Sequence, residues 1–176
     1  KLVPKKKARR PTDPEPGAQP APTEAAAGAA LPAPWTEYCE PNMLLLADGT
    51  SYTPALVTGF ERSVSVSRGL ARGDIDADGD IDLVVTGIAG PVEIYRNDSP
   101  RQGSWLIAEA VTGDPARAAI GAVITVKAQT KTWSRPSRRG GSYLSSSPPA
   151  AHFGLGEVTE LDSIEVRWLD GQREIF

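Results

Sequence analysis

The chain has 176 residues, enough for one ordinary domain or two small ones, with 17 Gly, 16 Pro, one Cys and a formal net charge of −3. Lys1, Lys5, Lys6, Lys7, Arg9 and Arg10 place +6 in the first ten residues and so leave −9 on the rest, an acidic balance that excludes nucleic acid as the expected partner. No apolar run approaches the ~20 residues of a membrane helix, so no transmembrane span is expected.

Residues 1–34 hold eight of the 16 prolines, many alanines and no aromatic side chain. Such a segment cannot supply a core and reads as an extended or disordered arm. The basic cluster Lys5 to Arg10 runs into Pro- and Glu-containing sequence and not into the apolar stretch of a signal peptide. An ordered arm of this composition is expected to lie on a partner or across the surface of its own fold. Cys39 has no second cysteine to pair with, which leaves a buried thiol, a bond to another chain, or a bond to a part of a longer protein.

From Trp35 the texture changes, and residues 35–100 read as a first β unit. Asn42 to Leu46, the Asp48-Gly49 turn and the return stretch Ser51 to Val57 predict a hairpin. Between Phe60 and Arg72, Val64 and Val66 alternate with Ser63, Ser65 and Ser67, which predicts a half-buried strand. Ile81 to Thr86 is short and β-branched and ends at Gly87, and Val92, Ile94 and Arg96 suggest one strand more.

Between these strands lies Asp74-Ile75-Asp76-Ala77-Asp78-Gly79-Asp80-Ile81-Asp82, with five carboxylates in nine residues. Their mutual repulsion beside an apolar run makes sense when a cation sits among them. Asp74, Asp76 and Asp78 occupy positions one, three and five, Gly79 takes the bend, the Asp80 carbonyl serves as a fourth ligand and Asp82 closes the shell. No His or Cys stands nearby, so the donor set is hard oxygen and points to Ca2+ over Zn2+, Cu2+ or Mg2+. An EF-hand would need Glu at the twelfth position and a helix after it; Val85 stands there and a strand follows.

Asn97 to Ser104 is a polar joint, and residues 101–176 read as a second, small β-sandwich or barrel-like domain. Trp105 to Val111, Ala122 to Thr130 and Ile164 to Trp168 predict strands, the last with Ile164, Val166 and Trp168 on a dry face against Glu165 and Arg167. Asp170-Gly171 turns the chain into Arg173 to Ile175. A chain that stops on a strand is expected to be a fragment.

Two stretches carry a family resemblance. Arg68 to Asp74, the Asp loop, Leu83 to Thr86 and Ile94 to Asn97 resemble an FG-GAP (VCBS-type) repeat. Trp105-Leu106, Ala119 to Ala122, Gly140 to Ser145, His152 to Gly156 and Ile164 to Gly171 are similar to the ASPIC/UnbV domain. The resemblance implies a β-propeller blade with the Asp loop as its calcium site. Only one full repeat is present, residues 42–60 look like the outer hairpin of a preceding blade, and one blade cannot bury both faces. The open faces therefore call for more of a longer protein or for another subunit.

Other chemistry is less well supported. His152 is the sole histidine, and Ser145, Ser146, Ser147 and Asp162 lack a nucleophile-elbow pattern, so a structural histidine bonded to backbone near a glycine turn is the expectation and catalysis is not. Gly140, Gly141, Gly154 and Gly156 match neither a P-loop nor a dinucleotide fingerprint and read as tight turns between strands. Of Trp105, Trp133 and Trp168 as a carbohydrate platform, Trp168 alternates with core positions and reads as buried, Trp133 reads as the better exposed contact, and Arg135, Arg138 and Arg139 beside it read as a solvated loop or a basic patch. The expected function is a non-enzymatic, extracytoplasmic calcium-binding β module for protein or glycan interaction. The alternative is an accessory subunit of a larger extracytoplasmic or membrane-associated complex, docked through its arm.

Overall fold

A computed structural model describes residues 2–5, 34–55, 59–88, 90–100, 103–113 and 115–176. The elements are β1 (Leu2–Lys5), a 3-10 turn (Trp35–Tyr38), β2 (Glu40–Pro41), β3 (Leu44–Ala47), β4 (Tyr52–Ala55), β5 (Val64–Ser65), β6 (Ser67–Gly73), β7 (Asp82–Gly87), β8 (Glu93–Tyr95), β9 (Ser104–Thr112), β10 (Arg117–Ala118), β11 (Val123–Ala128), β12 (Lys131–Pro136), β13 (Ala151–Gly156), β14 (Ser163–Arg167) and β15 (Arg173–Ile175). The described residues are thus all-β apart from one helical turn, and none of their sheets closes on itself. No described helix is long and apolar enough to cross a membrane.

Residues 103–176 build two sheets around one core. In the first, β9 pairs antiparallel with β13 and β10; in the second the order is β12-β11-β14-β15. Period-2 alternation explains the packing. Leu106, Ala108 and Ala110 on β9, Ile124, Val126 and Ala128 on β11, Ala151, Phe153 and Leu155 on β13, and Val166 on β14 all enter a single buried cluster. Phe153, Ile124, Val126 and Val166 are almost fully enclosed, and each such side chain stabilises the fold by about 1.5–3 kcal/mol.

Two strands here exceed the sequence expectation. β12 carries a wet pattern and a proline, which suits an edge strand but hides it from a hydrophobic scan. β13 contains Gly154 and Gly156, read above as turn residues, and is held in place by its register on β9. Trp133, expected as an exposed platform, is half-buried and packs against the core together with Leu161, Ile164 and Trp168. Its partner across the ladder is Val126, whose fully buried side chain shares that face.

Residues 34–100 are organised differently. The hairpin β3-β4, the two-residue ladder β2-β5 and the three-stranded sheet β6-β7-β8 are separate pairings. Their buried apolar residues are Phe60, Val66 and Val85. Val64 and Val66 do not share a face as expected: Val64 is 61% exposed and Val66 3%. The ladder breaks between them, since β5 pairs with β2 whereas β6 pairs with β7 through a register shift between Ser67 and Gly69. On β8, Ile94 faces solvent while Glu93 and Tyr95 turn inward, where Tyr95 meets Phe60 edge-on at 5.0 Å between centroids.

Of the arm, Leu2–Lys5 adds to β9 as an antiparallel strand, with Leu2 opposite Ala110 and Lys5 opposite Ile107. Residues 1 and 6–33 lie outside the described residues, as do 101–102 of the joint and the end of the predicted return strand at Val57.

Candidate metal centre at the Asp loop

β6 ends at Gly73 and β7 begins at Asp82, so residues 74–81 must reverse the chain between paired strands. Two left-handed residues make the reversal, Ala77 at φ 60° and Gly79 at φ 101°. The local hydrogen bonds are charge-assisted and run from backbone N–H to carboxylate. Asp74 accepts Asp78 N–H at 2.9 Å on one oxygen and Gly79 N–H at 3.1 Å on the other. Asp76 accepts Asp78 N–H at 3.3 Å, and Asp78 accepts Asp80 N–H at 2.9 Å.

This winding brings one carboxylate oxygen each of Asp74, Asp76 and Asp78 within 4.8 Å of one another. Asp74 and Asp78 are half-buried and Asp76 is exposed. Desolvation in the loop, then the neighbouring Asp78 charge, pushes the Asp76 carboxyl above its ordinary value. Three hard oxygens are about half of a six- to eight-oxygen calcium shell, leaving positions for carbonyls and water. The donor set fits an alkaline-earth cation.

Asp80 and Asp82 stand outside that trio. Asp80 is half-buried beside it. Asp82 is 1% exposed, and its two oxygens accept the N–H groups of Ile75 at 2.8 Å and Asn97 at 2.9 Å. It therefore ties the loop's entry to the segment after β8, a role its place in the Asp spacing does not suggest. Two charge-assisted hydrogen bonds, each worth about 1.5–3 kcal/mol, help to offset the cost of burying this carboxylate.

The loop is also gripped from residues 103–176. The Gly79 carbonyl accepts a hydrogen bond from His152 Nε2 at 2.8 Å; a carbonyl only accepts, so the proton is on Nε2. The Trp105 indole lies stacked along the His152 ring, 6.4 Å between centroids and 14° between planes. A Cβ at Gly79 would overlap the Trp105 ring. Gly79 is thus required twice, for its positive φ and for this approach. The sequence identifies the first reason only, because β9 and β13 reach the loop solely through the tertiary fold.

Remaining candidates are dispersed. Asp162 accepts Gln129 N–H at 2.6 Å, Ser145 Oγ donates to Tyr143 O at 3.0 Å, and Ser147 Oγ accepts Arg72 N–H at 3.1 Å, so the structure does not assemble these serines with His152 and Asp162. The His152 ring is bonded to backbone at a glycine turn, as expected from sequence. Arg135, Arg138 and Arg139 are exposed. Cys39 is a half-buried free thiol whose S–H donates to Trp35 O at 3.8 Å.

The segment that supplies His152 has recognisable relatives. Residues 112–176 match the ASPIC and UnbV family. The ASPIC/UnbV match covers β10 to β15, including the His152 strand and the serine loop before it. Over a longer stretch the chain is similar to cartilage acidic protein 1. The Homo sapiens protein is 32% identical over 102 residues, which is 56% of this chain and 15% of that protein. Its Mus musculus counterpart is 32% identical over 102 residues (56% and 16%), and that of Xenopus tropicalis 34% over 104 residues (56% and 16%). The chain therefore spans about one sixth of the length of these relatives.

Proposed function

We propose that the chain is a non-enzymatic, calcium-stabilised all-β interaction module acting outside the cytoplasm. In this reading β6-β7-β8 is an FG-GAP (VCBS-type) propeller blade, and its Asp loop holds Ca2+ through Asp74, Asp76 and Asp78, with the Asp80 carbonyl and Asp82 completing the shell. The observation that carries it is the convergence of three loop carboxylates within 4.8 Å in a strand-to-strand turn. The cation's role is structural: it cancels the repulsion among the carboxylates and makes binding energy part of folding energy. Extracellular calcium is abundant enough to fill a loop of moderate affinity, and the similarity to cartilage acidic protein 1 supports this setting. The recognised ligand is a protein or a glycan, met by surfaces away from the metal.

Thermal melting with Ca2+ against excess EDTA tests the reading. At a free concentration a hundred times the dissociation constant, Ca2+ should stabilise by about 2.7 kcal/mol, and Asp76→Asn with Asp78→Asn should abolish the difference. Superimposed melts for the unaltered chain would refute calcium binding.

One observation favours the alternative, an accessory subunit docked through its arm: Leu2–Lys5 already behaves as an added strand on β9. A segment able to pair in this way can serve a partner sheet equally. Light scattering after size-exclusion discriminates, since a stable folded monomer of the isolated chain argues for the autonomous module.

A further inference from the structure

We propose that residues 103–176 act as an edge cap for the three-stranded sheet β6-β7-β8, recognising that edge through the gaps left by Gly69 and Gly79. β6 is the outer strand of the sheet and pairs with β7 on one side only. Leu70 and Arg72 occupy alternate positions on it, so both N–H groups point along the same edge. Each is met by a serine hydroxyl from the loop before β13: Leu70 N–H donates to Ser142 Oγ at 3.0 Å and Arg72 N–H to Ser147 Oγ at 3.1 Å. Two backbone donors that would template a foreign strand are thereby occupied without a strand being added.

The glycines make the approach possible. A Cβ on Gly69 would lie 2.5 Å from Ser145 Oγ and from Thr86 Oγ1, and 3.2 Å from Tyr143 O, closer than real contacts allow. On Gly73 it would meet the Pro148 ring at 3.4 Å, an ordinary van der Waals contact. On Gly79 it would overlap Trp105. Every glycine of the β6-to-Asp-loop segment thus faces a residue of the C-terminal region, and His152 adds a hydrogen bond to the third. The serine loop is itself fixed, since Ser147 N–H donates to Arg139 O at 2.9 Å and Ser145 Oγ donates to Tyr143 O. The partner this surface fits is therefore a strand edge bearing a glycine, followed ten residues later by a glycine in a tight turn that offers its carbonyl. None of these contacts involves a cation, so the cap stands or falls independently of calcium binding.

Amide hydrogen exchange on the full chain, read by NMR, tests the cap. In Ser142→Ala with Ser147→Ala, the Leu70 and Arg72 amides should exchange at least about tenfold faster, while those of Ile124 and Val126 in β11 keep their protection. Gly69→Ala should expose the same two amides by lifting the serine loop, and Gly79→Ala should move the indole N–H resonance of Trp105. Unchanged Leu70 and Arg72 exchange in the double serine variant and in Gly69→Ala would overturn the proposal, as would a Trp105 resonance indifferent to Gly79→Ala.

Discussion

Residues 103–176 and residues 34–100 are both built from short antiparallel strands, yet they are stabilised by different means. The first region gathers thirteen buried apolar residues into one cluster fed by both of its sheets. The second has Phe60, Val66 and Val85, and leaves Leu45, Leu46, Tyr52, Val64 and Ile94 at the surface. What orders it instead is polar: Asp82 and Asp74 on loop N–H groups, Glu93 accepting from Ser63 at 2.6 Å and from the Tyr95 hydroxyl, and the contacts that the C-terminal region makes with Gly69 and Gly79. A cluster of apolar area is non-directional and tolerates solvent conditions, whereas a scaffold of carboxylates and glycines depends on charge, ions and close approach. The same chain thus joins a region held by apolar burial to one held by polar contacts and close approach.

The contrast can be broken most directly through the core. Phe153→Ala should destabilise by about 3–5 kcal/mol in denaturant unfolding, and a loss under ~1 kcal/mol would mean that the cluster is not what holds the fold. Gly79→Ala combines a left-handed backbone with a clash against Trp105 and should cost about 2–4 kcal/mol, read as a lower melting temperature with β6 to β8 losing exchange protection before β11. Were β11 to open first, the dependence would run the other way.

His152→Ala removes one hydrogen bond to the Gly79 carbonyl and should cost about 1 kcal/mol. Most of that should vanish in a double-mutant cycle with Gly79→Ala, where the contact is already disturbed. The smallest effect belongs to the exposed β3-β4 turn. Hydrogen bonds from the Ser51 hydroxyl and N–H, then from Thr50, hold the Asp48 carboxyl well below the usual carboxylate range. Because its folded value is depressed, its contribution is present above the unfolded value of about 4 and is lost as pH falls below it. Lower protection factors for the Thr50 and Ser51 amides on acidification, and at all pH values in Asp48→Ala, should report this without shifting global unfolding.

Much of the fold was legible because period-2 alternation is a local signal. β3, β4, β7, β9, β11, β14 and β15 fall on the stretches expected from their β-branched and apolar positions. β1, β12 and β13 were not legible for a shared reason: each is held by a neighbour more than by its own pattern. β1 is four residues with a proline, β12 is polar apart from Trp133 and Pro136, and β13 interrupts Phe153 and Leu155 with Gly154 and Gly156. At the candidate site the Asp spacing located the trio Asp74, Asp76 and Asp78, but it does not reveal the backbone hydrogen bonds of Asp82. Both of its oxygens serve backbone donors, one of them fifteen residues away at Asn97.

By itself the sequence determined the turn: alternating carboxylates with glycine after the third fix which oxygens converge, since that geometry lies within a few bonds of backbone. The tertiary structure alone decided what surrounds it. The placement of Trp105 and His152 on Gly79, and of Ser142 and Ser147 on the β6 edge, depends on how β9 and β13 pair and on where their shared core seats them. Contacts across seventy residues leave no periodicity in the chain from which they could be read.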